Sequence, residues 1–275
     1  MDVLVVGLEF ISFNFIQHLL DKYTDYNIIC IDKIEKKYYT QFLQDYKKFY
    51  FYRIDNDKYS DVLSFFKFWY GFDFIINFIS ENNTKEEKIL LEIIQKYKTK
   101  KYLQAISCSA YNNSSAIQQF LKIPVVSYRY SGIYGCFQHP DQFIPSMIIN
   151  ALEGNLIYRQ NFCRHKLSNV IDYCRGLETL MHYGTVGETY FLEGTDVFDN
   201  DITLSIANYL GFIENIQENN YNDNKISLCH NNDKLNKQYG WKPVINIRDG
   251  LVDTIEWYKD NKSWWKSLKT LQELF

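Results

Sequence analysis

Residues 123–154 read IPVVSYRYSGIYGCFQHPDQFIPSMIINALEG, and this stretch decides the fold. Pro124 to Arg129 is a short apolar run of β-formers, which reads as a buried strand. Ser131, Gly132 and Gly135 break the pattern, and Pro140 holds a loop open. Asp141 is placed to cap a helix with Ile144, Met147, Ile148, Ala151 and Leu152 on one face and Gly154 as its stop. Strand, glycine loop and helix in that order suit the mouth of an open α/β sheet, where ligands bind.

The N-terminal residues repeat the theme. Val3 to Val6 is a strand, Gly7 ends it, and Phe10 to Leu20 is a helix with Phe10, Phe13, Ile16, Leu19 and Leu20 available for burial. Ile28 to Ile31 is a second strand, closing on Asp32. This is the dinucleotide-binding βαβ order, in which glycines admit a pyrophosphate and an acid meets a ribose. Two readings stand for Gly7: dinucleotide contact, or a plain strand-to-helix turn. Glu9 would set a carboxylate beside a pyrophosphate, a contact costing about 1–4 kcal/mol. Asp32 either binds a ribose or sits in the loop before a helix expected over 33–46. Strands are further expected at 49–53, 73–78 and 102–107, with helices at 61–69, 86–97 and 113–121.

The chain has 275 residues, enough for one large domain or two modest ones. A net charge of −3 gives no electrostatic case for nucleic acid or an anionic membrane surface. Six cysteines without a C-x-x-C pair indicate reduced, structural thiols in a cytoplasm-like compartment. Cys163 and His165 lack companions at metal-ligand spacing, so no metal is expected. No apolar run approaches the ~20 residues of a membrane span, and residues 1–6 read as a strand, so no signal peptide is expected.

The opening stretch also carries a resemblance. It is similar to the run R-x-S-N-N-Y-G-x-x-Q-x-P-E-K-L-I-P-x-x-I-x-N-A-L-x-G of the nucleotide-sugar 4,6-dehydratases. These are the dTDP-glucose 4,6-dehydratase type of the extended short-chain dehydrogenase/reductases. Arg129, Ser131, Tyr134, Gly135, Gln138, Pro140, Ile144, Pro145, Ile148, Asn150, Ala151, Leu152 and Gly154 match in register. Val186 to Gly194 (VGETYFLEG) resembles V-G-E-x-Y-N-I-G-G, and Tyr239 to Pro243 with Gly250, Thr254, Trp257 and Tyr258 follow the family's C-terminal pattern. The resemblance implies an α/β fold: a Rossmann-like, doubly wound parallel sheet over 1–135 and a small C-terminal α/β substrate lobe over 136–275. The two are intertwined by returning segments. It implies NAD as cofactor, with Gly7, Phe10, Ile11, Asp32, Asp55, Phe78 and Ser80 as cofactor-binding positions. For Asp55 an exposed loop is the alternative. It implies diphosphate binding by Arg164 and His165, for which a solvated basic loop is the alternative. Asp172 is expected to cap the helix 173–182, and 215–225 to be a polar loop.

The departures cluster at the chemistry. The family's loop resembles T-G-G-A-G-F-I-G-S-N-F, and here one glycine of its glycine set is clearly kept. Ile79 stands where the family has a small alanine close to the cofactor. The family's serine-threonine-aspartate-glutamate run is Ser107-Cys108-Ser109-Ala110, so no carboxyl group remains there as acid or base. Tyr111 is the remnant of the family's catalytic tyrosine or a half-buried aromatic, and Ser115 stands where its lysine would be. A phenol needs a neighbouring cation to act as a base near neutral pH. Tyr97 and Lys101 have the right spacing but fall before the fifth strand. Ser107, Cys108 and Tyr111 are thus vestigial candidates, and Cys108 has no neighbour to activate it.

Three readings follow. The first is a non-catalytic homologue acting as a binding or structural protein, in a homodimer or in a heteromeric assembly with an active homologue. The second is an active dTDP- or UDP-hexose 4,6-dehydratase or epimerase. The third is a sensor that binds NAD or a nucleotide sugar without turnover.

Overall fold

The computed structural model describes residues 1–79, 85–106, 123–160, 164–219 and 233–272. Ser80, Ser107, Cys108, Tyr111 and the helix expected over 113–121 lie outside them.

Short runs of aliphatic and aromatic residues form the parallel strands. These are β1 (Asp2–Val6), β2 (Asn27–Asp32), β3 (Phe49–Arg53), β4 (Phe74–Asn77), β5 (Lys101–Ala105), β6 (Val125–Tyr130) and β10 (Thr189–Leu192). They pair in the order β10-β6-β5-β4-β1-β2-β3, every pair parallel. This is the expected Rossmann-like sheet. Its strands are near-continuous in hydrophobicity because both faces are covered: Val3, Leu4, Val5, Ile28, Ile29 and Ile76 have no exposed surface. Helices α1 (Phe10–Lys22), α2 (Lys37–Thr40), α3 (Tyr59–Trp69) and α4 (Lys85–Ile94) connect the first five strands.

The helix expected over 33–46 shrinks to the four residues of α2. Its N-cap is Lys36, without a capping side chain, and Lys37 opens the first turn. Cations there oppose the helix dipole, and the N-cap side chain supplies no acceptor. Tyr97 and Lys101 serve packing: the Tyr97 ring lies 5.5 Å from Phe66, and Lys101 Nζ donates to the His182 carbonyl at 2.6 Å.

By contact density the chain divides into two units. One holds Met1–Tyr130, Cys174–Leu192 and Asn231–Trp241; the other holds Ser131–Tyr173, Glu193–His230 and Lys242–Phe275. The second unit carries β7 (Gly132–Tyr134), β9 (Arg164–Asn169) and β11 (Thr195–Phe198) in a sheet of order β11-β9-β7. Helices α5 (Phe143–Glu153), α7 (Asp199–Leu210), α9 (Ile247–Asp260) and α10 (Lys262–Gln272) belong to it, whereas α8 (Lys234–Tyr239) belongs to the first unit. The unit boundary falls within α6 (Val170–Tyr183).

Three local expectations change in the second unit. Helix α5 starts at Phe143 with Gln142 as N-cap; Asp141 instead pairs with His139 at 2.7 Å. Residues 216–219 leave the expected loop and form β12 (Ile216–Asn219), parallel to β8 (Ile157–Gln160). A polar segment extends there because a neighbouring strand offers backbone partners, which local composition does not register. Asp172 sits inside α6, and its Oδ2 accepts the N–H groups of Val244 (3.0 Å) and Ile245 (2.8 Å). It is wholly buried, so it ties the chain entering α9 and is not a cap. Asp172→Ala would strand both donors and is expected to cost about 2–3 kcal/mol, read as a lower midpoint in chemical denaturation.

Candidate functional site

The β1–α1 turn places Gly7, Phe10, Ile11 and Asp32 together at the carboxyl end of the sheet. Gly7 has φ +89°, and a Cβ added to it would lie 3.1 Å from Ile79 Cγ1. Glycine is required here by conformation and space. The space beside Gly7 is filled by Ile79, the bulky residue the sequence singled out.

Three backbone donors ahead of α1 are in use within the chain. Gly7 N–H donates to the Ile31 carbonyl at 2.8 Å. Leu8 N–H donates to Asp32 Oδ2 at 2.7 Å. Glu9 N–H donates to Ser12 Oγ at 2.7 Å, one half of a reciprocal capping box in which the Glu9 side chain meets the Ser12 backbone. Glu9 does not stand as a bare negative charge. Lys36 Nζ lies 2.7 Å from Glu9 Oε1 and 3.2 Å from Asp32 Oδ2. Burial alone would lower the pKa of this ammonium, but the Glu9 and Asp32 carboxylates outweigh burial and raise it. Asp32 is therefore committed to Leu8 and Lys36. Phe10 and Ile11 are half-buried in the first turn of α1, and the half-buried Phe78 ring lies tilted against Phe15, 6.1 Å between centroids.

Asp55 follows β3 and is held locally. It accepts the Asp57 N–H at 3.3 Å and pairs with Lys33 (3.5 Å) and Lys58 (3.4 Å). A cavity of about 10 Å³ lies beside it, lined by Val6, Asn56, Val62, Asn77, Ile79 and neighbouring residues of α4. That is room for about one water. The Asn56 Oδ1, buried in its wall, has no partner and is suited to such a water.

Across β4 and β5, Asn77 Nδ2 donates to Tyr102 Oη at 3.0 Å and to Gln104 Oε1 at 3.3 Å, and Asn77 Oδ1 accepts the Ile79 N–H at 3.0 Å. Tyr102 donates in turn to Gln104. Burial pushes the Tyr102 phenol well above its ordinary range, so it cannot serve as a base near neutral pH. Burial likewise pushes up the thiols of Cys30 and Cys174, and that of Cys136 to about 11. No group of metal-binding side chains exists among the described residues.

In the second unit, β9 carries the basic run. Each member has an acidic partner: Arg164 with Asp196 at 2.9 Å, His165 with Asp199 at 2.5 Å, and Lys166 with Glu193 at 2.7 Å. The antiparallel β9–β11 pairing accounts for one of these contacts: it sets Arg164 opposite Phe198, so Asp196, two positions away on β11, is its diagonal neighbour. Asp199 is almost wholly buried beneath His165. The run is a matched ion-pair ladder rather than a solvated basic loop.

No family model matches the chain. The dTDP-glucose 4,6-dehydratase of Streptomyces niveus is 29% identical over 158 residues, covering 55% of this chain and 46% of that protein. The dTDP-glucose 4,6-dehydratase 1 of Escherichia coli (strain K12) is 28% identical over 202 residues, covering 69% of this chain and 55% of that protein. The chain spans about half the length of the curated relatives it matches. A dTDP-glucose 4,6-dehydratase of Bacillus anthracis, solved in complex with NAD, superposes with a TM-score of 0.88 at 25% identity, covering 98% of this chain and 99% of that one. In sequence and in fold, the chain is similar to dTDP-glucose 4,6-dehydratases.

Those dehydratase relatives raise the question of NAD here, and the described residues do not fit it as arranged. A pyrophosphate needs free backbone donors and a small residue at its closest approach. Here Gly7, Leu8 and Glu9 donate internally, and Ile79 fills the space beside Gly7. Sequence reading missed Lys36. Its signal was present: a lysine four residues after Asp32, the spacing of a helical ion pair. The reach to Glu9 was not readable from spacing. No helix among the described residues is long and apolar enough to cross a membrane.

Proposed function

We propose that this dehydratase relative is non-catalytic and acts as a binding or structural protein. The observation that carries this reading is that Gly7, Leu8 and Glu9 each spend their N–H within the chain, with Lys36 and Asp32 holding the same turn. A hydride-transfer enzyme of this architecture must hold its dinucleotide before any chemistry, so an occupied cradle precedes every other deficit. The sequence adds a second deficit: Cys108, Ser109 and Ala110 carry no carboxyl group to move a proton during elimination. The basic run supports the same reading, since Arg164 and Lys166 already have acidic partners in Asp196 and Glu193. A role within a homodimer or beside an active homologue is consistent with an intact scaffold lacking its chemistry.

The test is calorimetric titration of the full chain with NAD⁺, then with dTDP-glucose in the presence of NAD⁺, alongside a turnover assay. The expected result is no saturable heat and no product. Saturable NAD⁺ binding with conversion of the sugar nucleotide would establish the working dehydratase instead. Saturable binding without product would establish the sensor.

A further inference from the structure

We infer that Glu9 is a built-in anion that takes the place of a bound phosphate at the start of α1, with Lys36 as the lock that holds it there. This deepens the non-catalytic reading and rests on it. Three observations converge on the assignment. The Glu9 side chain closes a capping box on the first turn of a 13-residue helix, where the free N–H groups favour negative charge. Lys36 bridges Glu9 and Asp32, and its side chain is only 20% exposed, so this is not a loose surface pair. Asp32 passes the contact on to the Leu8 N–H, so one lysine fixes the turn from both sides.

The alternative is an incidental surface ion pair, since the Glu9 side chain is 62% exposed. An incidental pair would leave the turn unchanged when broken. A built-in anion, once removed, should leave a vacancy that an external anion can fill. The ladder on β9 follows the same logic, with three internal carboxylates on three adjacent basic residues. A chain with its own anions at such positions holds its native turn without a ligand.

The experiment compares the full-length wild type with Glu9→Gln and with Glu9→Gln/Lys36→Met. Thermal melts are run in sodium pyrophosphate and in sodium chloride of matched ionic strength. Wild type should respond identically to the two salts. Glu9→Gln should melt about 2–4 °C lower in chloride, and about 10 mM pyrophosphate should recover that loss. The double variant should lose the recovery, because Lys36 supplies the positive charge. Circular dichroism confirms that each variant is folded. A Glu9→Gln variant indifferent to pyrophosphate would overturn the inference, as would a wild type that gains as much from pyrophosphate as the variant does. Neither result touches the non-catalytic reading, which fails only on NAD⁺ binding or turnover by the wild type.

Discussion

Gly194→Ala is expected to prevent the second unit from folding. A Cβ at this position would lie 2.0 Å from the backbone carbon and oxygen of Leu167 and 2.5 Å from the Ser168 nitrogen. Leu167 sits on β9, the middle strand of its sheet, paired with Gly132 on one side and Thr195 on the other. It has no free direction in which to yield. The Gly194 N–H also donates to Ser131 Oγ at 2.8 Å, so shifting the glycine breaks a further contact. Overpacking ordinarily costs about 1–3 kcal/mol; a clash with main chain held on both sides places this substitution at about 4 kcal/mol or more. The control is Gly154→Ala, where φ is +79° but nothing lies within 4 Å. That change carries backbone strain alone, on the order of 1 kcal/mol. Thermal unfolding with limited proteolysis separates the two. A Gly194→Ala protein melting within a few degrees of wild type would refute the packing argument.

The second large effect is expected at Glu178 in the first unit. This carboxylate lies on α6, 90% buried, and receives two side chains of α1 and that of Tyr23, which caps its C-terminus. His18 Nε2 is 2.8 Å from Oε2, Lys22 Nζ is 2.6 Å from Oε1, and the Tyr23 hydroxyl donates to Oε1. Tyr23 stacks flat on Tyr26 at 4.2 Å, which fixes the hydroxyl's direction. Burial by itself pushes the carboxyl pKa up, but the hydrogen bonds from His18, Lys22 and Tyr23 win and hold it at about 2. Glu178→Ala removes the common acceptor of three donors and should destabilise the fold by about 3–5 kcal/mol.

The sign of the pH dependence follows from the depressed pKa. Stability from Glu178 is fully present above the ordinary carboxyl range. It is lost as pH falls from about 4.5 towards about 2, where the native carboxylate finally protonates. The loss is on the order of 2–3 kcal/mol. Urea melts at pH 7 and pH 3 should therefore show a larger acid penalty in wild type than in Glu178→Ala. Equal penalties would mean that the cluster contributes nothing through its charge.

Much of the fold was legible in the residues. Val3–Val6 and Ile28–Ile31 are short apolar runs that read as buried strands, and Gly154 closes its helix in the left-handed conformation expected of such a stop. The errors arose where a distant partner outweighed a local preference. Residues 216–219 became β12 because β8 lies alongside them. Asp172 was drawn to Val244 and Ile245, more than seventy residues away, instead of to its own helix.

The candidate site divides the same way. The loss of carboxyl groups at 108–110 and of all but one glycine near residue 7 is written in the chain, because side-chain chemistry needs no coordinates. Whether Glu9 would stand as an unmet charge was not, since a Coulomb contact depends on separations of a few ångströms. Only folding brings Lys36 to Glu9 across 27 positions of sequence and sets Glu193, Asp196 and Asp199 against the basic run. Periodicity thus fixed which segments are buried, while charge balance was decided by which side chains converge in space.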